Sequence, residues 1–498
     1  MSARARFDVL WQTLTAEQQA SLAHDYAARA RADGAYVVVA DGSEVPIPPI
    51  LTPVAMERAR LSEVSADAHA ITRALTKLTV DLMEDRARAP LKQRLFGAFT
   101  ALEAEALGTT WRKSEQLATV RVDFLVDAHG HAHALEVNST IPAMQGYSDA
   151  IAAAFLRALA AARGLPDGAA AAFVDANGRN SDDLLASLLA HHQRLGGRDG
   201  AQSIAIVARA GDAQYGELSH YVRRWTALGH RAFIATPEVV RIDSSGHGHA
   251  VVDDVIPDLI YRHIFARRLD PASDFARICL DPERFHLFNP ISSHLEVKGM
   301  LGLLSAAAAD DAAAARIGLD DEERAAVQRS VPWTRLLQHG PTTGPGGEAI
   351  DELAGWVRAN GRALVLKRSW DYGGKGVFLG TELAEGVSAQ ARLRTLLGRA
   401  PADVVGWEAL CEFALADRDA WVVQELVSSP TERHLRVDGD SVQVRDLYVD
   451  LSAFTNVGAA PRPSGGAVRA SESRIVNILG GGGLAPLVRE DVLARLLD

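Results

Sequence analysis

Several common signatures are missing from this 498-residue chain. It has no G-x-x-x-x-G-K-S/T loop, no G-x-G-x-x-G after a strand, no H-E-x-x-H and no G-x-S-x-G, so four large enzyme classes lose their hallmark. Cysteine is nearly absent. Cys279 and Cys411 are too few and too far apart for a disulfide framework or a four-thiolate metal site, which fits a reducing cytoplasm. A basic excess is lacking too: 52 Lys and Arg face 63 Asp and Glu, a net charge of −11, so no global field holds a nucleic-acid backbone. No apolar run reaches the ~20 residues of a membrane crossing. Even AIAAAFLRALAAA around Arg157 is alanine-rich and broken by charge, so no membrane partner is expected. The start, MSARARFDVLWQ, has no signal-peptide core, and a cytoplasmic protein is expected.

What is present is globular. With 48% hydrophobic and 23% charged residues, wholesale disorder is excluded. A prior of ~150 residues per domain suggests about three packed units. Residues 1–115 read as a mainly helical region, interrupted by the strand YVVVA and the turn PIPPILTP. Over 116–198 the period changes to two, giving a hairpin and then a helix, with a linker-like stretch from GRNSDDLL to GGRDGAQ. Residues 199–290 alternate strand and helix, as a small α/β layer does. In 291–498 a helical start, with Ser293 and Glu296 at capping-box spacing, gives way to a strand-rich part beyond Gly361. The class is α/β (α+β).

The hairpin TVRVDFLVD–AHGH–AHALEVN is the first informative segment. Closure through residues 128–131 makes opposed positions sum to 259, so Asp123 faces Glu136, Arg121 faces Asn138, Val122 faces Val137 and Phe124 faces Leu135. Like charges opposed across a strand pair are destabilising, so a positive group belongs between the carboxylates. Asp123, Glu136 and an Asn138 carbonyl supply hard oxygens suited to Mg²⁺ on a nucleotide. The other reading is a wet, charged face with Arg121 neutralising one acid. His129, His131 and His133 read as a solvated turn rather than a metal site, and His191 and His192 are read the same way.

The second segment is ALVLKRSWDYGGKGVFLG, in which a strand ending near Lys367 turns through Gly373, Gly374, Lys375 and Gly376. Glycines let backbone N–H groups approach phosphate, and Lys367 adds a point charge; a plain glycine hairpin with solvated lysines is the alternative. In WVVQELV the buried strand carries Gln424 and Glu425, whose partners are either an adenine edge or neighbouring backbone.

Taken together, R-V-D at 121–123, E-V-N at 136–138, N-P-x-S-S-H-L-x-x-K ending at Lys298, V-L-K ending at Lys367, G-G-K-G-V from Gly373 and V-Q-E-L-V from Val423 resemble the ATP-grasp fold. Their order resembles its circularly permuted branch, which includes the synthetase domain of glutathionylspermidine synthetase. The resemblance covers roughly residues 115–490 and implies that Asp123, Glu136 and Asn138 hold Mg²⁺ and that Arg121 meets the transferring phosphate. It likewise implies that Lys298 and Lys367 reach the α- and β-phosphates of ATP, that Gly373, Gly374, Lys375 and Gly376 form the lid, and that Gln424, Glu425, Leu426 and Val427 form the adenine hinge. Arg121 and Lys367 are the expected catalytic pair. Without the resemblance, Lys298 reads as a solvated helix lysine. Arg436, Arg445, Arg469 and Asn477 match the family's triphosphate and acceptor region only loosely. The first hundred residues and the chain beyond Gly480 have no motif to match, and the cysteine-nucleophile amidase domain joined to the spermidine enzyme has no counterpart.

The activity so implied is a carboxylate–amine ligase that makes an amide bond through an acyl phosphate and releases ADP, with small-molecule acid and amine substrates. A phosphotransferase, or an ATP-binding scaffold without catalysis, remains the alternative from the residues alone.

Overall fold

The computed structural model describes residues 1–111, 117–243, 249–371, 374–398, 404–439, 441–456 and 465–498. The strand Ser441–Phe454 sets the frame, because Leu447, Val449 and Leu451 alternate in it with Tyr448, Asp450 and Ser452. A period of two sends these sets to opposite faces. Ser441–Phe454 pairs antiparallel with Arg121–Val126, Ala467–Ser471 and Thr431–Asp438. Ala132–Asn138 and Gly483–Ala485 complete a six-stranded sheet. One face is apolar: Val122, Phe124, Val137, Leu451 and Val468 pack against the helix Arg58–Glu84 through Leu61, Val64, Ala68, Ile71, Leu75, Leu78 and Leu82. That three-and-four spacing is one helical stripe, and burying each leucine stabilises by about 1.5–3 kcal/mol. The other face is polar and carries the site.

A four-stranded antiparallel sheet runs Thr334–Leu336, Trp421–Glu425, Leu364–Arg368, Val377–Leu379. Leu366, Val423, Trp421 and Phe378 join Val357 and Leu410, from the helices Leu353–Ala359 and Trp407–Ala416, in one core. Lys367 and Gln424 have the opposite parity and point away from it.

The third layer is parallel, in the order Leu287–Phe288, Leu259–His263, Ser203–Ala208, Arg231–Ala235. Ala205 and Val207 enter one core, Ile204 and Ile206 the other, as expected for a strand covered on both faces. The chain termini interlock: Val54–Met56 pairs with Leu487–Arg489. No helix among the described residues is long and apolar enough to cross a membrane.

Three local expectations are corrected. The linker-like stretch holds a helix, Asn180–Arg194, because Asp149 accepts from the Asn180 and Ser181 amides (both 2.8 Å) and its leucines 184, 185 and 188 are buried. Ser293 and Glu296 form no capping box. Glu296 Oε1 instead reaches across to the Ser139 amide (2.7 Å) and that of Thr140, while Ser293 donates to Glu103. Beyond Gly361, helices such as Ala389–Leu397, Trp407–Ala416 and Glu490–Leu497 share the chain with strands.

Candidate functional site

The hairpin pairs as Arg121 with Asn138, Val122 with Val137 and Asp123 with Glu136. Beyond Asp123 the register shifts: Phe124 faces Ala134, not Leu135, and Val126 rather than Asp127 faces Ala132. Leu135 is the extra residue of a bulge, a device that re-aims a strand beside a site. Its carbonyl accepts from Lys367 Nζ at 3.2 Å, so the bulge ties the two antiparallel sheets together. Asn289 secures the hairpin's base, receiving the Ala118 amide (2.7 Å) and donating to the carbonyls of Thr119 (2.6 Å) and Ser139 (3.2 Å).

Asp123 is the hub of the polar face. Arg121 donates to both its oxygens (2.8 and 3.0 Å), Arg469 to Oδ2 (3.1 Å), Ser452 to Oδ1 (2.8 Å) and Asn138 to Oδ2 (3.2 Å). Arg469 also grips Asp450, at 2.5 Å. Burial pushes the Asp123 carboxyl up, but the two guanidiniums and the hydrogen bonds win and hold it well below the usual range. Asp450 moves the other way, to about 6, because burial and the neighbouring Asp123 charge outweigh Arg469 and Arg121. Arg469 is raised: burial disfavours its charge, yet its two acids overcome that.

Across from this floor, Lys367 Nζ donates to Gln424 Oε1 (2.6 Å), and Gln424 Nε2 donates to Thr334 Oγ1 (2.9 Å). Burial pushes the Lys367 ammonium down to about 8; Glu136 opposes this and Lys298 adds to it. Lys298 is buried at the start of the helix Lys298–Ala308, its ammonium on the Asp371 carbonyl and 3.6 Å from Glu136 Oε2. It is not solvated. The turn after Lys367 holds Gly374 at φ 73°, where a Cβ would come 2.6 Å from Ile475 Cγ2, so glycine lets the turn close on the segment 474–478.

These parts converge on one cavity of about 590 Å³. It is lined by Arg121, Asp123, Glu136, Asn138, Lys367, Gly374, Gln424, Glu425, Leu426, Val427, Arg469 and Asn477. Lys298 lies behind Glu136 and Asn138, in an adjoining cavity of about 20 Å³. Lys375 and Gly376 share the glycine turn without lining the cavity, and Gly373 lies outside the described residues. Arg436 and Arg445 are elsewhere. Arg436 pairs with Asp438 (2.9 Å) and Arg445 with Glu472 (3.4 Å), because Arg445 and Gln443, the partner of Arg436, have the parity of Leu447 and Leu451, away from the cavity.

Sequence reasoning missed Asp450 and Ser452, which the alternation in YVDLS marks as one polar row. It also missed Arg209, Asp212, Gln214 and Arg268, which line the cavity from segments following the parallel strands Ser203–Ala208 and Leu259–His263. The carboxyl ends of parallel strands are where ligands bind in α/β sheets. Val37 and Ile47 bring the N-terminal region into the wall, and no local pattern announces them. Six cationic side chains and five carboxylates line a cavity in a chain whose net charge is −11. The histidines form no metal cluster among the described residues. His133 sits in the strand against Asp127 (2.9 Å), and His191 and His192 are buried rather than solvated, His192 meeting His286 at 2.8 Å.

No protein-family model and no curated protein matches this chain. Among solved structures it is similar to a glutathione synthetase-like effector from Globodera pallida in its apo form, with a TM-score of 0.58 and 12% identity over 96% of this chain and 98% of that one. The chain has a mixed α/β, glutathione synthetase-like fold over nearly its whole length.

Proposed function

We propose that the protein is an ATP-dependent carboxylate–amine ligase with a circularly permuted ATP-grasp core. The observation that carries this is the meeting, in one cavity, of the early acidic hairpin with Lys367, Gly374 and the 424–427 segment, more than two hundred residues later. The likeness in fold to a glutathione synthetase-like effector supports the same class. Backbone at 424–427 would meet the adenine, and Lys367, Lys298 and the glycine turn the phosphates.

Glu136 and Asn138 Oδ1 receive no hydrogen bond among the described residues and offer hard oxygens that fit Mg²⁺; Asp123, whose two oxygens accept five hydrogen bonds, would complete the trio by giving up some of them. Bound there, the ion would offset phosphate charge. A substrate carboxylate oxygen would attack the γ-phosphorus and release ADP, giving an acyl phosphate. An amine nitrogen would then attack the acyl carbon, losing a proton as phosphate departs. Arg121 is aimed by Asp123 at the group in transfer, and the protein's part is positioning and charge stabilisation.

The experiment is a screen of amino acids, short peptides and polyamines with ATP and Mg²⁺, reading ADP and the loss of water between two partners by mass spectrometry. With hydroxylamine as the amine, a ligase yields a hydroxamate. AMP release, or a stable phosphoester, would overturn the proposal.

A further inference from the structure

Just after the hairpin, the chain turns sharply into the helix Gln145–Ala162. Met144, at that turn, has φ 97°, a left-handed value that a side-chain-bearing residue keeps only when its surroundings impose it. Glu217, fully buried on the helix Tyr215–Ala227, imposes it. Its Oε1 accepts from the Met144 amide (2.8 Å), the Gly146 amide (2.9 Å) and the Tyr221 hydroxyl (2.7 Å). Gly146 makes room for this contact, since a Cβ there would lie 3.0 Å from Glu217 Cγ and 3.1 Å from Tyr221 Cε1. The neighbouring Ala143 carbonyl accepts from Arg121 Nη1 at 3.0 Å, the one side-chain hydrogen bond of Arg121 among the described residues that does not go to Asp123. Met144 itself lines the cavity.

We propose that Glu217 is a positioning residue, fixing the 143–146 turn so that the Ala143 carbonyl holds Arg121 at the angle the reaction needs; its kinetic consequence rests on the ligase reading above. Glu217 does not line the cavity; beside a lesser, direct interaction with the Arg121 charge, it reaches Arg121 through the turn. A carboxylate is not required for this. Glutamine presents the same Oε1 to the same three donors, and its amide nitrogen takes the place of Oε2, which has no hydrogen-bond partner among the described residues.

The test compares full-length Glu217→Ala, Glu217→Gln and Gly146→Ala with the parent chain. Hydrogen exchange at the Met144 and Gly146 amides should quicken at least about tenfold in Glu217→Ala and in Gly146→Ala, which crowds the carboxylate without removing it, and stay unchanged in Glu217→Gln. In ADP-release kinetics on the parent's best substrate pair, kcat should fall about 10²-fold in Glu217→Ala, with the KM for ATP within about twofold, and recover in Glu217→Gln. Unchanged exchange in Glu217→Ala, an equal loss in Glu217→Gln, or a raised KM at constant kcat would overturn the assignment. If the parent turns over no substrate, the ligase reading fails and the exchange rates alone decide the role of Glu217. If Glu217→Ala does not fold, Gly146→Ala and Glu217→Gln carry the decision.

Discussion

The floor and the roof of the cavity handle charge differently. On the floor, both oxygens of Asp123 are saturated by two guanidiniums, a hydroxyl and an amide, and Arg469 is shared with Asp450. On the roof, the hydrogen-bond partners of Lys367 among the described residues are two neutral oxygens, Gln424 Oε1 and the Leu135 carbonyl, and the Glu136 charge acts on it without a hydrogen bond. Asp123 is fully hydrogen-bonded as it stands, with Glu136 and Asn138 Oδ1 open beside it among the described residues; the roof carries a cation whose charge burial disfavours. A saturated network sets geometry in advance, whereas an underpaired buried cation is stabilised by an arriving anion.

The sharpest way to break this contrast is Asp123→Ala. It leaves Arg121 and Arg469 buried beside a neutral residue, and removing one partner of a buried charge network costs about 3–5 kcal/mol. Urea unfolding should register that loss. A cost below about 1 kcal/mol would mean the floor is no more pre-set than the roof. Lys367→Ala removes a charge that the fold itself disfavours but leaves Gln424 Oε1 and the Leu135 carbonyl without their donor, so stability should fall by no more than about 1–3 kcal/mol while ATP turnover falls about 10²–10³-fold. Near-normal turnover at saturating ATP would remove Lys367 from the phosphate path.

A smaller effect separates the two regions by pH. The Lys367 value near 8 lies below its ordinary 10.5, so the unfolded chain binds the extra proton and this group's contribution to stability rises with pH between about 8 and 10.5. A polyphosphate bound beside it pushes the value back up. At pH 8, ADP binding should therefore take up to about half a proton, read by calorimetry in buffers of different ionisation enthalpy. Lys367→Arg, charged throughout, should lose that uptake; if it does not, the proton goes to another group.

Much of the floor was legible in advance because period-two alternation is strict over short strands. Arg121, Asp123, Glu136 and Asn138 share a face for that reason, and the apolar set opposite them becomes the main core. The bulge at Leu135 was not legible, since it answers to Lys367, 232 residues away. Glu296 shows the same limit: its spacing from Ser293 imitates a cap, while its hydrogen bonds cross to Ser139 and Thr140. The buried histidines 191 and 192 and the helix that carries them depend on a cap from Asp149, 31 residues upstream of Asn180, which no local pattern encodes.

The smallest effect is expected where parity separates two arginines of the same sheet. Arg469 lies opposite Asp450 on the cavity face; Arg445 lies on the other face, exposed, with Gln443 and Glu472 for company. Exposed pairs of this kind contribute about 0–1 kcal/mol. Arg445→Ala should therefore change stability by no more than about 0.5 kcal/mol and leave turnover within about twofold, measured beside Arg469→Ala, which strips Asp123 and Asp450 of a shared partner. A tenfold change in the KM for any substrate in Arg445→Ala would mean that the 431–447 ribbon folds over the cavity during turnover, and that a period of two along Ser441–Phe454 is not enough to say which arginines meet the ligand.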